Sequence, residues 1–275
     1  MYKIKSFAKI NLGLEVLNKR NDNFHSIKTV ISKISLFDEI QIEKSDSNSV
    51  KQLGIKEDDN LVTKILLHMQ KKYFTEKISI RIKKNIPYSS GLGGGSSNSA
   101  SVIKGLNEYL ELNLDSKEMF DIGLRFGSDI PFFLGPNTAL IEGKGEKITF
   151  IEKPNLSNIL LIYPNILIEN KTYKIFSNLK SYTNGEYQEN LLKKIRSRKN
   201  ISESLFNGLE ESALSIFHDL RDIKNDLLKM GLPNISMSGA GPSYFSIIDN
   251  EKSSYNLKEI IEKNTNHKCY LVDLL

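Results

Sequence analysis

Ser89–Ser99 reads "SSGLGGGSSNS": four glycines and five serines with one leucine and one asparagine. Glycine loses more conformational freedom on folding than any other residue. Such a run is therefore either a slack linker or a loop whose bare backbone approaches a ligand, most often phosphate. The flanks decide. Upstream, "EKISIRIKKNIP" alternates Ile78, Ile80 and Ile82 with polar residues, the pattern of a half-buried strand. Downstream, Ala100, Ile103, Asn107 and Leu110 follow helical spacing, with Ser96 or Ser97 as the expected N-cap. A loop set between a core strand and a core helix aims backbone N–H groups and the positive end of the helix dipole at one point, which makes an anion site. It is not a Walker A loop, because no lysine follows Gly95. It is not the dinucleotide fingerprint either, since Ser96 stands where the third glycine belongs. The His-Arg-Asp and Asp-Phe-Gly pair of protein kinases is also missing.

The 275-residue chain is long enough for a substantial core and for two domains. With 39% hydrophobic and 26% charged residues it has the composition of an ordinary globular protein. A single cysteine, Cys269, excludes an internal disulfide and fits a reducing, cytoplasmic setting. Its apolar runs are too short to cross a bilayer, and no signal-peptide pattern is read, so no membrane partner is expected. The net charge of +5 is dispersed except in "LLKKIRSRKN", which reads as a solvated helix end, so no nucleic-acid partner is expected. A weak positive field suits an anionic small molecule.

Residues 2–17 alternate as a strand, with Ile4, Ala8, Ile10, Leu12, Leu14 and Val16 on one face and Phe7, Lys9, Asn11 and Glu15 on the other. Asn60 is placed to cap the helix "LVTKILLHMQKKY", and "DSKEMFDIGLRFG" is helical. "SDIPFFLGPNTALIEGKGEKITFI" reads as a turn followed by strands. A boundary near Pro154 divides the chain into expected domains 1–153 and 154–275. The second half carries helical patterns at 190–198, 204–217, 219–230 and 253–264, and a Gly-Ala-Gly turn at 239–241. Strands and helices mix without strict alternation, so the fold class is α+β.

Three segments, "FAKINLGLEVLNKRNDNFHSI", "IPYSSGLGGGSSNSASVIKGLN" and "ISMSGAGPSYFSII", together with "GSDIP", occur in an order that resembles the signature motifs of the GHMP kinase superfamily. The resemblance covers nearly the whole chain. It implies an N-terminal domain like the second domain of ribosomal protein S5, a ferredoxin-like C-terminal domain and an active site in the cleft between them. It further implies ATP as co-substrate, Mg2+, and transfer of the γ-phosphate to a hydroxyl of a small-molecule cytidylyl substrate. The alternatives are a kinase of the homoserine or mevalonate type, or a catalytically inactive nucleotide-binding sensor. A sensor should have lost Lys9 or Asp129, and both are present.

Carried onto this chain, the resemblance makes Asp129 the base for the acceptor hydroxyl and Lys9 the cation beside it; on local pattern alone these are a turn aspartate and a snorkelling lysine. Pro87, Tyr88, Ser89, Ser90, Gly91, Leu92, Gly93, Gly94, Gly95, Ser96 and Ser97, with Asn60, form the nucleotide-binding set, and Ser97 is the expected Mg2+ ligand. Asn11, Phe24 and His25 serve the acceptor, Phe24 as a stacking ring and His25 at the cytosine edge. Phe176 is the second ring, with Tyr173 as its alternative. The chain departs from the usual pattern at Phe24 for tyrosine, and at Asn98 and Gly208 for aspartate.

Overall fold

The computed structural model describes all 275 residues. In chain order the strands and helices of the first half are β1 (Tyr2–Lys19), β2 (His25–Lys44), β3 (Ser49–Gln52), α1 (Leu61–Tyr73), β4 (Ile78–Lys83), α2 (Gly94–Tyr109), α3 (Ser116–Phe126), α4 (Ile130–Leu134), β5 (Thr138–Gly143) and β6 (Lys147–Phe150). The second half adds β7 (Ile159–Tyr163), α5 (Lys171–Ser177), α6 (Glu186–Arg196), β8 (Phe206–Asn207), α7 (Glu210–Ile216) and α8 (His218–Lys229). It ends with β9 (Ser236–Met237), β10 (Tyr244–Ile247), α9 (Glu251–Asn264) and β11 (Lys268–Val272). No helix is long and apolar enough to cross a membrane.

The chain forms two compact units that interleave in sequence. One comprises Met1–Ala8, Leu36–Pro87 and Gly93–Pro136; the other comprises Lys9–Ser35, Tyr88–Leu92 and Asn137–Leu275. In the first unit, β4 pairs antiparallel with Glu39–Lys44 of β2 and parallel with β3. Asn60 caps α1 as its position predicts, its Oδ1 accepting from the Val62 N–H at 3.0 Å. Asp115 and Glu118 form a reciprocal capping box on α3. Asp38 of β2 is fully buried against the turn at 84–86 that leads toward the glycine-rich stretch. It accepts from Asn85 N at 2.7 Å, from Ile86 N at 2.8 Å and from Lys84 Nζ.

In the second unit, Ile27–Ser32 of β2 pair antiparallel with β5, and β5 pairs with β6. Gly13 and Leu14 of β1 pair in parallel with β8. A separate four-stranded sheet has the order β11-β7-β10-β9, antiparallel throughout. Numbered along the chain from β7, that order is 4-1-3-2, with helices before β9 and before β11: the ferredoxin-like arrangement. Its strands bury Leu160, Ile162, Met237 and Tyr244 in one cluster with Leu209 at the start of α7 and with Leu220, Leu227 and Ile261 of the helices.

Three local expectations change. "IPFFL" is the short helix α4 and not part of a turn, because Pro131 stands in its first turn, where a missing N–H does no harm, and Ile130, Phe132 and Phe133 are buried. The helix expected over 204–217 is a 3-10 turn, β8 and α7. Neither Ser96 nor Ser97 caps α2; the N-cap is Gly93 at φ 71°, a left-handed conformation that glycine adopts without strain.

Asp38→Ala removes the buried acceptor of three donors and is expected to destabilise the protein by about 3–5 kcal/mol in urea denaturation. Breaking the exposed Lys83–Glu39 pair by Lys83→Ala should cost less than about 1 kcal/mol. Equal losses for the two variants would show that the Asp38 cluster does not hold this turn.

Candidate active site

The polar face of β1 is buried because each of its side chains has a partner. Lys9 Nζ donates to Asn11 Oδ1 at 2.6 Å and to the Gly91 carbonyl at 2.6 Å. Asn11 Nδ2 donates to Thr29 Oγ1 at 3.0 Å, and the Thr29 hydroxyl donates to the Gly13 carbonyl at 2.6 Å. This chain of bonds fixes which way the Asn11 amide faces and leaves the lysine head no freedom to snorkel. The turn at 238–241 packs on the same pair, since a Cβ at Gly239 would lie 3.2 Å from Asn11 Oδ1 and 3.4 Å from Lys9 Nζ. Asn207 Nδ2 ties that turn down through the carbonyls of Met237 (2.6 Å) and Gly239 (2.8 Å).

The leading part of the glycine-rich loop is held by its carbonyls. Ser89 O accepts from Lys171 Nζ at 2.7 Å and Ser90 O from Ser243 N at 3.2 Å. Gly91 O accepts from Ser238 Oγ at 3.2 Å as well as from Lys9, and Leu92 O accepts from Lys9 N at 2.9 Å. Gly91 has φ +81°, and a Cβ there would lie 2.3 Å from the Ser238 carbonyl oxygen. Only glycine fits that close approach.

From Gly93 onward the loop becomes the first turn of α2. Ser97 N donates to Gly93 O at 2.9 Å. Gly94 packs on Ile86, whereas nothing lies within 4 Å of a Cβ built at Gly95, which is exposed. The two serines of this turn differ. Ser97 is 1% exposed, donates to Phe7 O at 2.6 Å and accepts from Ser6 Oγ at 2.7 Å, whereas Ser96 is half-buried. Asn98 is buried and neither atom of its amide has a hydrogen-bond partner. Elsewhere in this unit Asp129 occupies the N-cap position of α4, yet its side chain makes no capping bond and is exposed. Helix capping therefore does not account for this carboxylate.

The residues expected to serve the acceptor lie in the other unit. His25 and Phe176 face each other with ring centroids 5.0 Å apart, and Tyr182 stands 6.2 Å from His25. Tyr173, on the same helix as Phe176, is 75% exposed, so of the two alternatives it is Phe176 whose ring meets His25. Burial, and secondarily the charge of Lys19, holds the His25 imidazole below its ordinary pKa. Phe24 is 58% exposed, with the Lys144 ammonium 5.2 Å from its ring centroid. No group of three or more His, Cys, Asp or Glu side chains is arranged to hold a metal ion.

Thr29, Lys171, Ser238 and Asn207 belong to these networks and were not singled out from sequence. Thr29 follows His25 and Ile27 at the two-residue period of a strand face, a signal that could have found it. Lys171 has no comparable signal.

Residues 60–135 match the GHMP kinases N terminal domain and residues 189–267 the GHMP kinases C terminal domain. A 4-diphosphocytidyl-2-C-methyl-D-erythritol kinase of Acetivibrio thermocellus is 36% identical over 99% of this chain and 98% of its own length. One from Clostridioides difficile is 36% identical over 95% of this chain and 92% of its own. The crystal structure of a 4-(cytidine 5'-diphospho)-2C-methyl-D-erythritol kinase superposes with a TM-score of 0.81 at 24% identity, covering 97% of both chains. The phosphomevalonate kinase of Streptococcus pneumoniae shares the fold at a TM-score of 0.72 and 16% identity. With both GHMP domains matched and relatives at this identity over nearly its full length, the chain belongs to the GHMP kinases, in the family of the 4-diphosphocytidyl-2-C-methyl-D-erythritol kinases.

Proposed function

We propose that the protein transfers the γ-phosphate of ATP to the 2-hydroxyl of 4-diphosphocytidyl-2-C-methyl-D-erythritol, the alcohol named in its relatives. The observation that carries this reading is the 36% identity over 99% of the chain to a kinase of that name. The exposed Asp129 carboxylate, free of a capping role, and the fixed Lys9 ammonium support it. In the reaction the acceptor oxygen forms a bond to the γ-phosphorus while the bond from that phosphorus to the β,γ-bridging oxygen breaks, releasing ADP. Asp129 is the proposed acceptor of the hydroxyl proton. Lys9 is proposed to lend positive charge to the acceptor oxygen as it loses that proton.

The nucleotide phosphates are assigned to the loop from Pro87 to Ser97, on the N–H groups of its glycine-rich part and the start of α2. Asn60 caps α1 through its side-chain oxygen, and its amide nitrogen donates to Gln52 Oε1 at 3.2 Å. A nucleotide contact from Asn60 would have to displace or share these bonds. Magnesium in kinases is held largely by the phosphates themselves. Ser97 is buried and its hydroxyl is engaged with Phe7 O and Ser6, so a magnesium contact would have to use its one remaining lone pair; Ser96 is the more accessible hydroxyl of the turn. For the acceptor base, Phe176 and His25 are the proposed ring and edge contacts, with Phe24 as a second ring; Asn11 is kept for its hold on Lys9.

Purified protein with ATP and magnesium should release ADP on addition of this acceptor and not of homoserine or mevalonate; the reverse preference refutes the assignment. Asp129→Asn should lower kcat by about 10²–10⁴-fold with ADP affinity unchanged, read by steady-state kinetics and calorimetry. Retention of most of kcat would remove Asp129 from the chemistry.

The loop assignment makes a paired prediction. Gly95→Val projects into open space and should leave the melting temperature intact while weakening ADP at least tenfold, because its side chain occupies the proposed phosphate position. Gly91→Ala should instead lower the melting temperature, since its Cβ meets a backbone carbonyl. Normal ADP binding by a folded Gly95→Val protein would move the phosphate site elsewhere.

The lowered pKa of His25 gives the sign of the pH dependence. Between pH 7 and 8.5 the imidazole stays neutral and the acceptor KM should be flat. As pH falls below about 6.5, the ordinary histidine value, protonation begins to compete and KM should rise in the wild type but not in His25→Ala. A KM that changes with pH equally in both proteins would take His25 out of acceptor recognition.

A further inference from the structure

Lys171 is out of place by every local rule. It is the first residue of α5, at the positive end of a helix dipole, where a cation is disfavoured. It is 7% exposed, and lysine is almost never buried unless its charge is partnered. The residue before it, Asn170, has a left-handed φ of 52° and makes no side-chain cap. Nothing in α5 itself calls for this arrangement.

Its partners are distant in sequence. Nζ donates to Ser89 O at 2.7 Å and to Gly241 O, so one ammonium joins the start of the glycine-rich loop to the turn at 238–241. Ser89 has φ +49°, a conformation that a residue with a side chain enters at a cost. The carbonyl gripped by Lys171 is the one that leaves this strained residue. Two residues on, Lys9 and Ser238 grip Gly91 O.

We propose that Lys171 is a positioning residue for nucleotide binding, which holds Ser89 in its left-handed conformation and so sets the path of the loop into the first turn of α2. This rests on the reading of that loop as the phosphate site. Burial lowers the Lys171 ammonium to about 8, and the charge of Lys9 on the same loop adds a smaller push in the same direction. A bound polyanion relieves that repulsion. The loop is therefore held by a group whose charge bound phosphates favour.

The test reads ADP binding by calorimetry, which does not depend on the identity of the acceptor. Lys171→Met keeps the length and packing of the stem and removes the donor. It should weaken ADP at least tenfold, equivalent to about 1.4 kcal/mol, while the acceptor KM changes less than threefold. Adding Ser89→Gly, which makes a left-handed φ accessible without strain, should recover at least threefold of the lost ADP affinity in that background. A purely structural role predicts otherwise: Phe176 sits on the same short helix, so a disturbed α5 would weaken acceptor and ADP alike, and Ser89→Gly would restore neither.

A folded Lys171→Met protein that binds ADP within twofold of wild type overturns the proposal, as does loss without rescue. Should Lys171→Met not fold, Lys171→Leu, which likewise carries no donor, is read in the same way; if that also fails to fold, the residue serves folding and the proposal falls. Gly95→Val separates the two levels. Normal ADP binding in that variant refutes the loop assignment itself, whereas loss there with normal binding in Lys171→Met refutes only the role of Lys171.

Discussion

Four consecutive backbone carbonyls, from Ser89 to Leu92, each accept a hydrogen bond from a donor far along the chain or from β1, and the geometry of the loop depends on this. Fixing a residue's backbone costs about 1–2 kcal/mol, with glycine at the upper end. A neutral hydrogen bond returns about 0.5–1.5 kcal/mol and one from a charged donor about 1.5–3 kcal/mol. Two of the donors here are lysine ammonium groups, so the bonds are of the size needed to offset the ordering of these four residues. A loop with its carbonyls so engaged is shaped before any ligand arrives, and its ordering entropy is not charged to binding.

The same logic explains why charged residues lie along a buried strand. Glu15 is fully buried at the far end of the β1 face that begins with Lys9, and its carboxylate accepts from Gly185 N at 3.1 Å and Gln188 N at 2.8 Å. It serves the start of α6 as an anion at a helix N-terminus. Lys9 serves the loop as a cation on the Gly91 carbonyl. Between them Asn11 and Thr29 relay bonds from Lys9 to the Gly13 carbonyl. The strand thus works as a polar rail on one face and as core on the other, where Ala8, Ile10 and Leu12 are fully buried.

Function is read on two levels. The family assignment comes from likeness over the whole chain and does not depend on any one contact. The roles proposed for individual residues come from the resemblance, and the geometry narrows the choice among them. Asp129 lies in the turn before α4, exposed and making no capping bond, which leaves its carboxylate available for the chemistry proposed. The ring of Phe176 lies against His25, whereas Tyr173 projects into solvent. Ser97, attractive in sequence as a hydroxyl in a phosphate loop, spends that hydroxyl on the backbone of Phe7.

What the sequence alone determined was whatever a local period or cap encodes. Alternation defined β1, Asn60 marked the start of α1, and the strand and helix flanking Ser89–Ser99 identified the stretch as a loop under constraint. The order of the motifs then identified the superfamily. Tertiary structure alone decided the rest. Gly93 and not a serine caps α2, because Ser97 is drawn to Phe7 and Ser6. "IPFFL" is helical because burial of its aromatic residues outweighs the turn signal around them. Lys171 meets Ser89 across 82 residues of chain, and Ser238 meets Gly91 across 147. A periodic pattern records which face of an element is buried. It does not record which distant carbonyl will lie opposite a given side chain, because that depends on how the strands and turns are brought together.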